Sequence, residues 1–336
     1  MSKPKVLLLG IIEHAHLTWT SLSSIADLIT PASKDRASFI AECRSGSLDG
    51  TTVAYRTFDS SSVTGPVDAE LVSALPSSLR YICHNGAGYD SIDVPSCTAR
   101  GIRVSNAPKA VDDSTADLGI WLVLGALRNL NTSLLSLRKG QWRGRPAPAL
   151  GHDPQGKVLG ILGMGGIGRN MARKAAVFGM TVLYHNRTRL GEEMEREVGV
   201  EYRGFEELLR ECDVLSLNLP LNNATRHTIS TPQFEMMKPG VVIVNTARGA
   251  VIDEAALVAA LDSGRVGSAG LDVFENEPEV HPGLLANERV LIVPHMGTYS
   301  VETQTKMEEW TISNVRMALE QGKLKSIVPE QKDLQD

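Results

Sequence analysis

Cysteine is scarce: four in 336 residues, Cys43, Cys83, Cys97 and Cys212, with no C-x-x-C spacing. A disulfide framework and a cysteine-ligated metal are therefore not expected, and the thiols read as reduced and mostly buried. Charge of one sign is also lacking. Thirty-four Lys and Arg against 39 Asp and Glu leave a net charge of −5, which argues against a nucleic-acid partner. Long apolar runs are missing; the longest, Leu118 to Leu127, is about half a membrane span. The first residues, Met1-Ser2-Lys3-Pro4-Lys5 before a short apolar run, do not read as a secretory signal. Repeats and low-complexity tracts are absent. A cytoplasmic chain with no membrane partner is expected. Its hydrophobic content of 42% is that of an ordinary globular enzyme, and its length suits two domains.

What is present centres on Lys157 to Arg189. Val158 to Leu162 reads as a buried strand. Gly163-Met164-Gly165-Gly166-Ile167-Gly168 follows at once, then an amphipathic helix to about Phe178, a stop at Gly179, and a strand from Thr181 to Tyr184. This is a βαβ unit with G-x-G-x-x-G in its first turn, a dinucleotide-binding fingerprint. Gly163 serves the tight turn, Gly165 the approach of a pyrophosphate, and Gly168 helix–strand packing. The helix N-terminus holds the phosphates.

One further absence chooses the dinucleotide. An NAD site usually carries Asp or Glu about 20 residues on, for the ribose 2′-OH. Here the strand ends Tyr184-His185-Asn186-Arg187-Thr188-Arg189, without an acid. Asn186 suits the ribose, Arg187 and Thr188 suit a 2′-phosphate, and Arg189 adds charge. NADP(H) is expected to be preferred, with NAD(H) bound more weakly.

Ahead of the fingerprint, strands are expected at Lys5 to Gly10, Thr51 to Tyr55, Leu79 to Cys83 and Ile102 to Ser105. Helices are expected over Leu17 to Ile29, Lys34 to Arg44 and Pro66 to Leu75. The alternation indicates a parallel α/β sheet. After the third strand comes His84-Asn85-Gly86-Ala87-Gly88-Tyr89-Asp90, either an ordinary tight turn or an anion nest of backbone N–H groups. Asp112 to about Arg138 reads as one helix, apolar nearly all round and so buried, against another subunit, another domain or its own. Beyond the fingerprint, strands are expected at Val214 to Leu219, Val241 to Val244, within Gly267 to Val273, and at Val290 to Val293. Helices are expected at Asp253 to Leu261 and from Val301 to about Gln321. Arg248, Glu277 and His295 all follow strands, where parallel sheets bind ligands.

In these segments the chain resembles the D-isomer-specific 2-hydroxyacid dehydrogenase family, and within it the NADPH-using glyoxylate/hydroxypyruvate reductases. The matching stretches are Asn85 to Asp90, Ser114 to Asp117, the glycine turn, Leu219-Pro220, Asn245 to Gly249, Gly270 to Val273, Glu275 to Pro278 and Pro294 to Gly297. They run nearly the whole chain in family order. The resemblance implies two doubly wound parallel-sheet domains, a Rossmann cofactor domain at 108–296 and a flavodoxin-like substrate domain at 1–107 and 297–336, with a cleft between them. It implies reduction of a 2-oxo acid to the D-2-hydroxy acid. His295 would be the general acid, Glu277 its partner, and Arg248 the group binding the substrate carboxylate. The amides of Gly86, Ala87 and Gly88 would hold the carboxylate, and the polar groups Tyr55, Arg56, Asn85, Thr298 and Tyr299 could bind hydroxyls of a longer substrate. Thr115, Leu219, Pro220, Thr225, Thr246, Ala247, Arg248, Asp272, His295 and Gly297 would join Gly163, Met164, Gly165, Gly166, Ile167, Gly168, Asn186, Arg187 and Thr188 around the cofactor. A homodimer through the cofactor domain is implied. Met296 and Tyr299 depart from the usual pattern and leave the pocket's shape open. The substrate stays open among glyoxylate or hydroxypyruvate, a 2-keto sugar acid such as 2-ketogluconate or 2-ketogulonate, and an aromatic or branched 2-oxo acid as in D-mandelate dehydrogenases. A dinucleotide-sensing, corepressor-like regulator is the alternative outside enzymes.

Overall fold

A computed structural model describes residues 3–334. The chain divides into two units. One comprises the residues up to Val111 together with those from Ser300 onward; the other is Asp112–Tyr299. The crossings lie three or four residues later than the sequence boundaries.

The first unit is a five-stranded parallel sheet: β1 (Lys5–Leu9), β2 (Asp27–Ile29), β3 (Thr51–Thr57), β4 (Tyr81–Asn85) and β5 (Arg103–Ser105), in the order β2-β1-β3-β4-β5. This is the flavodoxin-like order. Val6, Val53, Tyr55 and Cys83 pack on one face with Ile312 and Val315 of the helix Val301–Gln321. Leu7, Ala54, Ile82 and Val104 pack on the other with Phe39, Leu71 and Val94. The helix expected over Leu17 to Ile29 is corrected. His16–Ser21 is helical, Leu22–Ser24 is a single 3₁₀ turn, and Asp27–Ile29 is a strand paired with β1. Three residues are too few for periodicity to separate strand from helix, and Ser21, Ser23 and Ser24 favour a turn.

The second unit has seven parallel strands: β6 (Val158–Leu162), β7 (Thr181–His185), β8 (Glu201–Tyr202), β9 (Val214–Leu217), β10 (Val241–Asn245), β11 (Val266–Leu271) and β12 (Val290–Ile292), in the order β12-β11-β10-β9-β6-β7-β8. Read from β6 outwards, this is the Rossmann order with one added strand, and the strand order reverses between β6 and β9. The expected helix from Asp112 to Arg138 is two helices, Asp112–Leu127 and Leu130–Arg138, bent by 79°. Asn129 supplies the break with φ of 51°, a left-handed conformation that asparagine tolerates. The first of the two packs on its own unit's sheet, with Leu122, Val123 and Leu127 against Leu159, Ile161 and Val244. Trp121, Leu130, Leu134 and Leu137 stay exposed. Among the described residues no single helix is long and apolar enough to cross a membrane, and no group of His, Cys, Asp and Glu could hold a metal. All four cysteines are buried and unpaired.

Candidate active site

β6 runs directly into the glycine turn. Gly163 has φ of 102°, and a Cβ there would stand 2.6 Å from the Asn218 carbonyl oxygen; only glycine fits. Its N–H donates to His185 O at 3.0 Å, and the Met164 N–H donates to Asn186 Oδ1 at 2.7 Å. Asn186 therefore holds the turn with its carbonyl and retains its amide donor for a ligand. Gly165 has open space where a Cβ would stand. The helix Gly166–Val177 begins without a side-chain cap, although the Asp112 carboxylate lies against Gly166. Its first turn, where Ile167 and Gly168 lie, has the positive end that suits anions. Two polar atoms at the neighbouring strand ends, Thr246 Oγ1 and Asn218 Oδ1, are buried without a partner. Open space at Gly165 and orphaned groups beside the turn fit a dinucleotide. Asn218 was missed by sequence reading, since an asparagine before Leu219 carries no signal of its own.

The corner after β7 is only partly as expected. Arg187 and Thr188 are exposed, and no side-chain hydrogen bond or ion pair joins them to other described residues. Arg189 is corrected: it is committed to Glu195 through Nε at 2.8 Å and Nη2 at 2.7 Å, and it lies over the Tyr202 ring. The Arg189 bonds, with one from Tyr184, hold the Glu195 carboxyl down at about 2. Arg189 thus cancels an acid and adds no net charge. Thr225 also has a local task, donating to Pro220 O at 2.6 Å and accepting from the Asn222 N–H at 2.9 Å. It fixes the turn after Leu219, which is half-buried against the core.

At the end of β10, Asn245 Oδ1 accepts from the Ala247 N–H at 3.0 Å and Nδ2 donates to Arg248 O at 2.9 Å. Arg248 Nη1 donates to Ala247 O at 2.7 Å. Gly249 is pressed on the next loop; a Cβ there would be 1.8 Å from the Phe274 carbonyl carbon. That contact ties the arginine turn to the loop bearing Glu277. Glu277 Oε1 accepts from the Phe274 N–H at 2.9 Å, and Oε2 meets His295 Nδ1 at 2.8 Å. Burial pushes the Glu277 carboxyl up, but the His295 bond and the nearby Arg248 charge, among others, hold it below the usual range. The buried Glu254 accepts from the Glu275 N–H at 2.7 Å and steadies the same loop.

His295 has φ of 54°, a strained conformation sustained by Asp272. The Asp272 carbonyl accepts from the His295 N–H at 2.8 Å, and its carboxylate accepts from the Met296 N–H and, at 2.9 Å, from the Gly297 N–H. Ser114 donates to Gly297 O at 2.9 Å, and Thr115 is buried beside Gly297. Asp272 is 1% exposed, and burial raises its carboxyl despite the N–H bonds. It spends its carboxylate on the histidine loop, a role sequence reading had not given it.

In the first unit the loop after β4 turns its carbonyls inwards. Gly86 O accepts from the Ala107 N–H at 2.8 Å, Ala87 O from Asn106 Nδ2 at 2.7 Å, and Gly88 O meets His84 Nε2 at 3.0 Å. The N–H groups of Gly86, Ala87 and Gly88 have no partner among the described residues, as an anion nest requires. Asn85 is buried and tied to Thr311. Tyr55 is corrected as a substrate contact. It is 0% exposed, inside the core beside Trp19 at 5.4 Å between ring centroids, because alternation along β3 turns it to the face covered by Val301–Gln321.

Comparison with known proteins gives the family. The model of the D-isomer specific 2-hydroxyacid dehydrogenase NAD-binding domain matches residues 120–297. The chain is 56% identical over 331 residues to 4-methyl-2-oxopentanoate reductase A of Aspergillus oryzae, covering 98% of this chain and 99% of that one. It resembles the crystal structure of a glyoxylate reductase from Paecilomyes thermophila with a TM-score of 0.95 at 52% identity, over 99% and 100% of the two chains. It also resembles an NADPH-dependent glyoxylate/hydroxypyruvate reductase from Sinorhizobium meliloti, solved with NADP and malonate, with a TM-score of 0.84 at 30% identity over 98% of each chain. The chain therefore belongs to the D-isomer specific 2-hydroxyacid dehydrogenase family. It is a dehydrogenase of the 2-oxo acid-reducing class, and its second unit is a nicotinamide-dinucleotide-binding domain.

Proposed function

We propose that the protein reduces a 2-oxo acid to the D-2-hydroxy acid with NADPH, and that His295 is its general acid. The observation that carries this is the Glu277–His295 pair at 2.8 Å, which shares one sheet edge with Arg248. NADPH, when bound, supplies the hydride that the carbonyl carbon accepts. Since Nδ1 is engaged by Glu277, Nε2 is the nitrogen from which His295 would pass a proton to the carbonyl oxygen. Glu277 orients the ring and stabilises its charged form before transfer. Arg248 would bind the substrate carboxylate through its planar fork and draw electron density from the adjacent carbonyl. The unpartnered amides of Gly86, Ala87 and Gly88 in the first unit form a nest suited to a carboxylate. Arg187 and Thr188 would meet the 2′-phosphate, and Asn186, Thr246 and Asn218 would serve the rest of the dinucleotide.

For the substrate, glyoxylate and hydroxypyruvate are the first choice: the Paecilomyes relative is a glyoxylate reductase and the Sinorhizobium relative a glyoxylate/hydroxypyruvate reductase. The 56% identity to a 4-methyl-2-oxopentanoate reductase favours a second reading, a branched 2-oxo acid. We also propose a homodimer through the second unit, since Trp121, Leu130, Leu134 and Leu137 leave an apolar surface exposed there. Chiral chromatography of the product from a prochiral 2-oxo acid tests the hand of the reaction. The D acid is expected, and the L acid would contradict the assignment.

A further inference from the structure

One residue of the first unit gains its meaning only if the loop 86–88 seats a substrate carboxylate, as proposed above. Arg56, near the end of β3, is 0% exposed, among Leu9, Ala54, Val67, Leu71 and Ile82. A guanidinium so placed ordinarily touches a carboxylate. This one does not. Nη1 meets His84 Nδ1 at 3.1 Å, Nη2 donates to Ser61 Oγ at 2.6 Å, and Nε is buried without a partner. Burial pulls Arg56 down to about 10, against the more distant Asp90 charge, so it remains a cation at neutral pH.

His84 connects that cation to the loop. Arginine can only donate, so Nδ1 accepts and the ring proton sits on Nε2. From there it is donated to Gly88 O at 3.0 Å. The ring is itself buried and lies against Gly86, where a Cβ would stand 2.7 Å from Nε2. The buried guanidinium and imidazole lead to the half-buried nest.

Burying a cation without a contacting anion destabilises the fold. An anion that arrives with the substrate offsets that cost. We infer that Arg56, acting through His84, is a positioning residue of the carboxylate seat: it fixes the Gly88 carbonyl, keeps the 86–88 amides turned outwards, and places a positive charge behind them. Arg56 itself makes no contact with substrate.

The test uses the intact protein with Arg56→Met, Arg56→Lys and His84→Gln. Oxalate titrated by calorimetry reads the seat without turnover. KM and kcat for glyoxylate read it in the reaction, and NADPH affinity and thermal unfolding serve as controls. Arg56→Met is expected to weaken oxalate binding and raise KM by about tenfold, with kcat and NADPH affinity within about twofold. Arg56→Lys is expected to recover most of the loss. A folded Arg56→Met protein with unchanged oxalate affinity and KM overturns the inference, and so does a lysine variant no better than the methionine one. If Arg56→Met does not fold, His84→Gln decides: weaker oxalate binding supports the inference, and unchanged binding overturns it. A wild-type protein that binds oxalate but reduces no 2-oxo acid would remove the enzymatic reading while leaving the oxalate comparison valid.

Discussion

Glu277 Oε2 lies 2.8 Å from His295 Nδ1, while Glu277 Oε1 accepts from the Phe274 N–H at 2.9 Å. The carboxylate is thus anchored to its own loop and reaches across to the histidine. The ring can neither turn over nor exchange its nitrogens without breaking this bond. His295→Ala is expected to lower kcat by roughly 10²–10⁴, the usual share of general acid catalysis. NADPH affinity is expected to stay near wild type. A kcat close to wild type in steady-state assays would remove His295 from the role.

The same pair bears on acid stability. Glu277 is held below the ordinary carboxylate range, and Glu195 is held at about 2 by Arg189 and Tyr184. Below about pH 5.5, where unfolded glutamates begin to protonate, the unfolded chain therefore binds more protons than the folded one. Both contributions are complete above that pH and are lost as the pH falls towards the folded values. Denaturant unfolding across this range should show stability falling, with a shallower fall in Glu195→Gln. Identical slopes in the two proteins would contradict the assignment.

The placement of the candidate site's residues was legible in the sequence because they lie in short contiguous segments. The glycine turn, Arg248, Glu277 and His295 each follow a strand at the sheet's carboxyl edge. What was not legible depends on neighbours distant in sequence. Arg189 reads as free charge until Glu195 is seen beside it. Tyr55 reads as a pocket residue until alternation along β3 and the helix Val301–Gln321 bury it. Asp272 reads as a cofactor contact, yet its carboxylate is taken by the backbone of Met296 and Gly297. The fold was lost where elements were short, as at Asp27–Ile29 and at the helices Glu192–Val198 and Phe205–Glu211, which the sequence reading did not name, and where one left-handed residue, Asn129, broke a continuous apolar pattern.

Arg187 is the arginine of its turn that remains available, since Arg189 is bound to Glu195. Arg187→Ala is expected to raise KM for NADPH roughly 10–100-fold, the value of one charge-assisted contact, and to leave KM for NADH nearly unchanged. Equal effects on both cofactors would count against a 2′-phosphate contact.

Gly249 has no room for a methyl group, with the Phe274 carbonyl carbon 1.8 Å from the Cβ position. Gly249→Ala must push apart the arginine turn and the glutamate loop. A stability loss of about 1–3 kcal/mol or more is expected from such overpacking, with a fall in kcat/KM because Arg248 and Glu277 move apart. A variant with wild-type Tm and kcat/KM would show that the contact is not needed.

In the first unit the buried Glu308 accepts from the N–H groups of Glu13, His14 and Ala15 at 2.8, 3.0 and 2.7 Å. Glu308→Ala leaves three donors without it, each costing about 1–3 kcal/mol if kept from water. Thermal unfolding is expected to shift down by several degrees while NADPH affinity is unchanged. An unshifted Tm would mean that water replaces the carboxylate.

The central claim is reduction of a 2-oxo acid with NADPH, and one assay tests it most directly: oxidation of NADPH and of NADH followed by absorbance against glyoxylate, hydroxypyruvate, 4-methyl-2-oxopentanoate, phenylglyoxylate and 2-ketogluconate. Turnover of at least one acid is expected, with kcat/KM higher for NADPH than for NADH. Tight NADPH binding with no turnover of any acid would contradict the claim and favour a dinucleotide-sensing regulator.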